Sequence, residues 1–284
     1  MRRSLENVRK QRSPQTGNGT DGARFFIIGE DGNLFFEEKI SEYEKRFGNI
    51  INTDSAKLLF KDEGYNPHDI ESVKKFHPQA SAIVRSLFEK FLRESKGNKN
   101  GIVVFTGGGT GSGKSSMMNN SVVKNADFVF DSTMVNFDAA KNSIQRVIDN
   151  GQIPLITFVY RDPADAWFNG ILRRNKNIDG HIVPEATFAN THAISKENFL
   201  RLADEFGDKV LYIITEVKNG LKEPIEISIE ELENKPKYTK EQIQEAIHAE
   251  TYSEARAILE GFKNSNDSES LKRISPVVEG TIIQ

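Results

Sequence analysis

The residues best suited to chemistry lie in Thr106-Gly107-Gly108-Gly109-Thr110-Gly111-Ser112-Gly113-Lys114-Ser115. From Gly108 to Ser115 this run fits G-x-x-x-x-G-K-[ST]. Glycines let the backbone wrap tightly round an anion, with N–H groups aimed at it and the positive end of a helix behind. Lys114 is then placed to reach β- and γ-phosphates, and the Ser115 hydroxyl to ligate Mg2+. Gly108, Gly109, Thr110, Gly111, Ser112, Gly113, Lys114, Ser115 and the adjacent Ser116 are the expected nucleotide-binding residues, with ATP and Mg2+ as cofactors. The bland alternative is a plain glycine turn. A guanine-reading Asn-Lys-x-Asp is not matched, because Asn175-Lys176-Asn177-Ile178 brings Asp179 one place too late. ATP is therefore favoured over GTP.

Phosphoryl transfer requires positioning, charge stabilisation and an acid that accepts the acceptor hydroxyl's proton. Ligands of open parallel sheets bind beyond the carboxyl ends of the strands. Residues 49–54 read as a short strand ending in Asp54, the candidate base. Residues 128–131 deliver Asp131, a candidate for Mg2+ or substrate, with Thr133 just beyond. Residues 153–160 deliver Arg161. Arg161, Arg173 and Arg174 are candidates for neutralising the transferring group, although adjacent arginines on a helix cannot point the same way. Asp54 could instead cap the next turn. Arg161 could instead form an ion pair with a neighbouring acid.

The elements that must hold these groups follow from periodicity. Residues 101–106 are a continuous apolar run into the glycine loop, as expected of a strand covered on both faces. A helix over 115–123 is expected after it. Ala80, Ile83, Val84, Leu87, Phe88, Phe91 and Leu92 form a helical stripe over 80–93. Helices are also expected over 137–148, from Asp162-Pro163 onward as cap and first turn, and over 195–206. Trp167 sits on an apolar stripe and reads as core. Strands are expected at 128–131, 153–160 and 210–215. Alternating strands and helices predict an α/β fold with a mostly parallel sheet between two helical layers.

Towards the amino end, Phe25–Ile28 and Leu34–Phe36 flank Glu30-Asp31-Gly32-Asn33, so a hairpin is expected over 24–38, then a short helix ending at Phe47. Residues 1–23 read as a basic, solvated tail. The core is expected over 24–220 and a partly helical extension over 221–284. There an edge strand at 225–229 precedes a capping box at Thr239-Lys240-Glu241-Gln242 and a helix over 253–262.

Lys and Arg total 38 and Asp and Glu 41, a net charge of −3. That balance gives no global field for nucleic acid. The chain contains no cysteine, which excludes thiol catalysis and disulfide scaffolds and is compatible with the reducing cytoplasm. No apolar run approaches the roughly 18–20 residues needed to span a bilayer.

Over about residues 50–216 the chain resembles the zeta-toxin family of P-loop kinases. The matching pieces are INTDSAKLLF with HPQASAIV, the glycine loop, FDST, VYRDPADAWFNGILRRN and GHIVPEATFANTH. The resemblance implies a three-layer P-loop kinase fold and phosphorylation of a hydroxyl of UDP-N-acetylglucosamine, with an antitoxin protein as a possible partner. It implies that Asp54 is the catalytic base and that Arg173 or Arg174 is the first of two γ-phosphate clamps. Asp131 and Thr133 stand where the family usually has Glu-Gly-Thr. The chain differs from the family in three ways. The Asp-bearing segment precedes the glycine loop instead of following it. His181 stands where the second clamp arginine is expected, and Phe188 where a histidine is common, although His192 is present. Residues 175–192 are expected to form a lid over ATP. A nucleotide-binding interaction module without transfer, and a kinase for another small acceptor, are the competing readings.

Overall fold

A computed structural model describes residues 30–98, 100–117, 121–172 and 183–264. The chain divides into two compact units, Met1–Phe35 and Phe36–Gln284, and of the first only the opening of one helix is described.

The sheet takes the order β1 (Ile50–Ile51), β3 (Phe128–Asp131), β2 (Ile102–Gly107), β4 (Ile153–Arg161), β5 (Leu211–Val217), β6 (Ile225–Glu226). All neighbours are parallel except the short edge pair β5–β6. β2 is central because its side chains are apolar on both faces. Val103 and Phe105 enter one cluster with Phe128, Ile156 and Phe158, whereas Val104 enters another with Val129 and Leu155. This period-two division is the geometry of a pleated strand covered on both sides. The chain leaves β2 for β3 on one side and reaches β4 on the other. That reversal opens a crevice at the carboxyl end of β2.

The first cluster is covered by α1 (Glu30–Phe47), α3 (Ile70–Glu94), α6 (Phe137–Asp149) and α8 (Glu185–Phe206). Tyr43, Leu87, Ile144 and Phe199 each bury their side chains completely there. The opposite cluster receives Val123 from α5 (Ser121–Lys124), which follows α4 (Lys114–Met117). A third cluster joins α7 (Pro163–Asp165) and the π-helix Ala166–Leu172 to α8, α10 (Lys240–Ile247) and α11 (Tyr252–Asn264) through Trp167, Phe188, Ile243 and Leu259. Residues beyond 221 thus share a core with residues before it. The short α9 (Ile229–Glu233) carries a capping box at Ser228, and α10 carries the one expected at Thr239. Among the described residues no helix is long and apolar enough to cross a membrane.

Several expectations are corrected. The hairpin over 24–38 does not form, since Glu30–Phe47 is a helix; residues 24–29 lie outside the described residues. Phe36, Ile40, Tyr43 and Phe47 recur at helical spacing and all pack on the first cluster, and that stripe outweighs the Asp-Gly turn signal. The strand over 49–54 shrinks to Ile50–Ile51, and the helix α2 (Thr53–Lys57) takes its end. α3 begins at Ile70, well before residue 80, and carries Pro78 inside it. Its start is fixed by Asp69, whose carboxylate accepts from the amides of Glu71 and Ser72, both at 3.2 Å. α8 begins at Glu185, so Glu185–His192 is helical and not part of a lid loop. Residues 175–182 and the amino-terminal tail lie outside the described residues.

Candidate functional site

Strand register gathers the chemistry-bearing residues at one sheet edge. Thr106 of β2 is paired with Asp131 of β3 on one side and Thr157 of β4 on the other. Just beyond, the glycine loop turns through positive φ at Gly108 (127°), Gly111 (74°) and Gly113 (102°). A side chain at Gly108 would also meet the Val159 carbonyl oxygen at 2.4 Å, so the loop can seat against β4 only as glycine. The Lys114 Nζ crosses the loop and donates to the carbonyls of Gly108 and Gly109, both at 3.1 Å. Ser112 is fully buried, and among the described residues its Oγ has no hydrogen-bond partner. Ser115 is exposed at the start of α4, and Ser116 follows it in the same short helix.

Asp131, Lys114 and Asp54 act on one another's charge. Burial pushes the Asp131 carboxyl up, the Lys114 ammonium and a Thr106 hydroxyl hydrogen bond hold it down, and Asp54 adds to the rise. Burial pushes Lys114 down, while Asp131 and Asp54 hold it up. The early acid and the glycine-loop lysine therefore share one electrostatic neighbourhood, although 60 positions separate them in the chain (114 − 54).

Asp54 lies in the first turn of α2, not at a strand end. The cap of that helix is Asn52, whose Oδ1 accepts from the Ser55 amide at 2.6 Å, so Asp54 is not the capping residue. Its carboxylate pairs instead with Lys57, Nζ to Oδ1 2.9 Å. The strand-to-helix junction is pinned by Tyr43 of α1. The Tyr43 hydroxyl donates to the Ile50 carbonyl at 2.9 Å and accepts from the Asn52 amide at 2.9 Å.

Arg161 ends β4. Its Nε donates to Asp165 Oδ2 at 2.7 Å, and its Nη1 reaches the Gly111 carbonyl at 3.4 Å. The ion pair considered for Arg161 is therefore present, with Asp165 as the acid. Asp165 is buried in α7, and its other oxygen accepts from Asn169 Nδ2 at 2.6 Å. The π-helical turns then bring Gly170 against the loop. Arg173, Arg174 and His181 lie outside the described residues.

Several residues at the site, Thr191, Asn198 and Met134 among them, were not singled out by the sequence, and His192 was noted there only as present. Thr191 Oγ1 accepts from the Thr110 amide at 3.0 Å, and His192 Nε2 donates to the Thr110 carbonyl at 2.8 Å. The His192 ring packs at a tilt against Phe188, ring centroids 4.4 Å apart, and burial pushes its imidazole down to about 4. The exit from β3 is also fixed. The Ser132 amide donates to Thr106 Oγ1 at 3.0 Å, and Asn198 Nδ2 donates to the carbonyls of Met134 (2.9 Å) and Val135 (2.8 Å). Met134 sits at φ 57°, a region that non-glycine residues rarely enter and one common near functional sites. Thr133 is half-buried in this held segment. Spacing could have flagged Thr191 and His192, which lie at i+3 and i+4 from Phe188 on one helix face. Nothing local marks Asn198 or Met134.

Chemically, the edge offers a lysine and glycine turn for an anion, a guanidinium beside that turn, and two carboxylates for a proton or a cation. Among the described residues no group of three or more His, Cys, Asp and Glu side chains could hold a metal ion by itself. Magnesium needs no such cage, since it keeps waters and takes one or two carboxylates together with phosphates. Compared with protein-family models and with curated proteins, the chain matches none.

Proposed function

We propose that the protein is an ATP- and Mg2+-dependent phosphotransferase of zeta-toxin type. Its acceptor is a hydroxyl of a small nucleotide-linked compound, a UDP-activated amino sugar such as UDP-N-acetylglucosamine. The observation that carries this reading is the electrostatic triangle of Lys114, Asp131 and Asp54 at the carboxyl edge of the sheet. A structural glycine turn has no need of two carboxylates beside its lysine.

In this reading the glycine loop holds the triphosphate, with Lys114 released from the Gly108 and Gly109 carbonyls to reach the β- and γ-phosphates. The exposed Ser115 and the Asp131 carboxylate fit Mg2+, which would screen the charge on the phosphates. Asp54 takes the acceptor hydroxyl's proton as that oxygen bonds to the γ-phosphorus. The bond from phosphorus to the β–γ bridging oxygen breaks, and ADP leaves with the electron pair. Arg161, aimed by Asp165, lies beside the turn as a source of positive charge. A finer assignment follows from the resemblance, a P-loop kinase arrangement in which the acceptor strand β1 lies earlier in the chain but keeps its place beside β3.

The test is incubation with ATP, Mg2+ and UDP-N-acetylglucosamine, followed by mass spectrometry. A sugar nucleotide heavier by one phosphoryl group, lost in Lys114→Ala and Asp54→Asn, supports the reading. Tight ATP binding with no turnover on any acceptor refutes transfer and leaves a nucleotide-binding module. Full turnover in Asp54→Asn refutes the base assignment.

A further inference from the structure

Lys57 is an unusual partner for an acid at the rim of a crevice. Its side chain is only 7% exposed, whereas that of Asp54 is 56% exposed. The ammonium is thus held from within and reaches outward to the carboxylate at 2.9 Å. Burying an ammonium is unfavourable before pairing, and an apolar side chain of similar volume usually serves packing as well or better. α2 is one short helix whose other buried residue is Ala56, so packing alone gives little reason for a lysine there.

The surrounding charges supply a reason. Asp131 of β3 opposes the ionisation of Asp54, as its own response to Asp54 shows. Lys114 favours that ionisation but is bound to loop carbonyls. His77 of α3 lies within reach of both Lys57 and Asp54; burial and then Lys57 push its imidazole down, and Asp54 holds it up. Tyr65 and Tyr43 are also within the field of Asp54 and stay protonated, Tyr65 being pushed up to about 12. Lys57 touches the Asp54 carboxylate directly, Nζ to Oδ1 2.9 Å. A further negative ligand at the turn would push Asp54 towards protonation, and a protonated acid cannot accept a proton.

We propose that Lys57 is a positioning residue for Asp54, its buried ammonium fixing the carboxylate's orientation and keeping it ionised as the acceptor's base. This rests on the phosphotransferase reading for its catalytic meaning, but not for its charge effect. The i,i+3 spacing on one short helix sets the two groups on neighbouring turns of one face.

The test uses the full chain with 13C-labelled aspartate. The Asp54 carboxyl signal, assigned by its loss in Asp54→Asn, is titrated by NMR in the wild type, Lys57→Met, Lys57→Gln and Lys57→Arg. The Asp54 midpoint rises by about one pH unit in the Met and Gln variants and stays near wild type in the Arg variant, the low end of the effect of a nearby opposite charge because Asp54 is half exposed. The Gln variant carries the test should the Met variant not fold. With ATP, Mg2+ and acceptor, the acid limb of kcat moves up by the same amount. An unmoved NMR midpoint overturns the inference. A midpoint that moves while the acid limb of an active enzyme does not, or a wild type without turnover, overturns the reading of Asp54 as base instead.

Discussion

The Thr110 amide donates to Thr191 Oγ1 at 3.0 Å, so a helix that starts some 70 residues after the glycine loop (185 − 115) fixes the loop's shape. Thr191 in turn donates to the Phe188 carbonyl at 2.8 Å, inside its own helix. Thr191→Val keeps the volume and removes the acceptor. It leaves a partly buried amide unpaired, with an expected loss of about 1–3 kcal/mol. Chemical denaturation measures that loss, and ATP affinity measured by calorimetry falls with it because the loop is less pre-organised. A variant as stable as wild type would show that the loop holds itself.

His192 gives stability a pH dependence. Its folded imidazole is pushed down to about 4 from an ordinary 6.5, so the unfolded chain binds the proton more readily. Stability from this group is complete above pH 6.5 and is lost as pH falls from there towards 4. The two and a half units (6.5 − 4) set a ceiling of about 3 kcal/mol at 1.36 kcal/mol per unit. Urea midpoints at pH 5 and pH 7 should differ in the wild type and differ less in His192→Gln. His77 is lowered too and contributes a smaller slope of the same sign that the variant retains.

The apolar run of β2, the Asp162-Pro163 start, the Thr239 box and the strand at 128–131 were all legible, because each depends on neighbours in the chain. The glycine turn itself was legible for the same reason. What escaped was tertiary. Asp69 starts α3 earlier than the strongest part of its stripe, and Phe36, Ile40, Tyr43 and Phe47 override a turn signal only once a core exists for them to meet. Asp54 is expected at a strand end and lies in a helix, because Asn52 is a cap whose bond is local yet whose register depends on Tyr43. The Thr191, His192 and Asn198 contacts join segments far apart in sequence, so no window contains both partners.

Gly170 is required by a close approach. A Cβ there would stand 2.4 Å from the Gly111 carbonyl oxygen, a backbone atom that cannot rotate away. Gly170→Ala should therefore displace the loop, lowering stability by about 1–3 kcal/mol and weakening ATP binding more than a distant substitution of equal stability cost. Gly261 is the control, since a Cβ there meets nothing within 4 Å inside α11. Gly261→Ala should raise stability by about 0.5–1 kcal/mol, the helix-propensity gain. Thermal melts of the two alanine variants should move in opposite directions.

Asp165 and Arg161 form a pair in which the acid is 2% and the arginine 14% exposed, at 2.7 Å. Removing one partner strands the other's charge, so Asp165→Ala is expected to lose about 3–5 kcal/mol. Replacing both, as Asp165→Ala with Arg161→Met, leaves neither charge buried and should recover much of that loss. Asn169 then loses only the Oδ1 acceptor that Asp165 supplied. A double-mutant cycle by denaturation yields the coupling directly. Turnover supplies the second readout. The double variant should regain stability without regaining phosphoryl transfer, because the guanidinium beside Gly111 is gone. Transfer at the wild-type rate in that stable double variant would remove Arg161 from the reacting charges and leave it a purely structural ion pair.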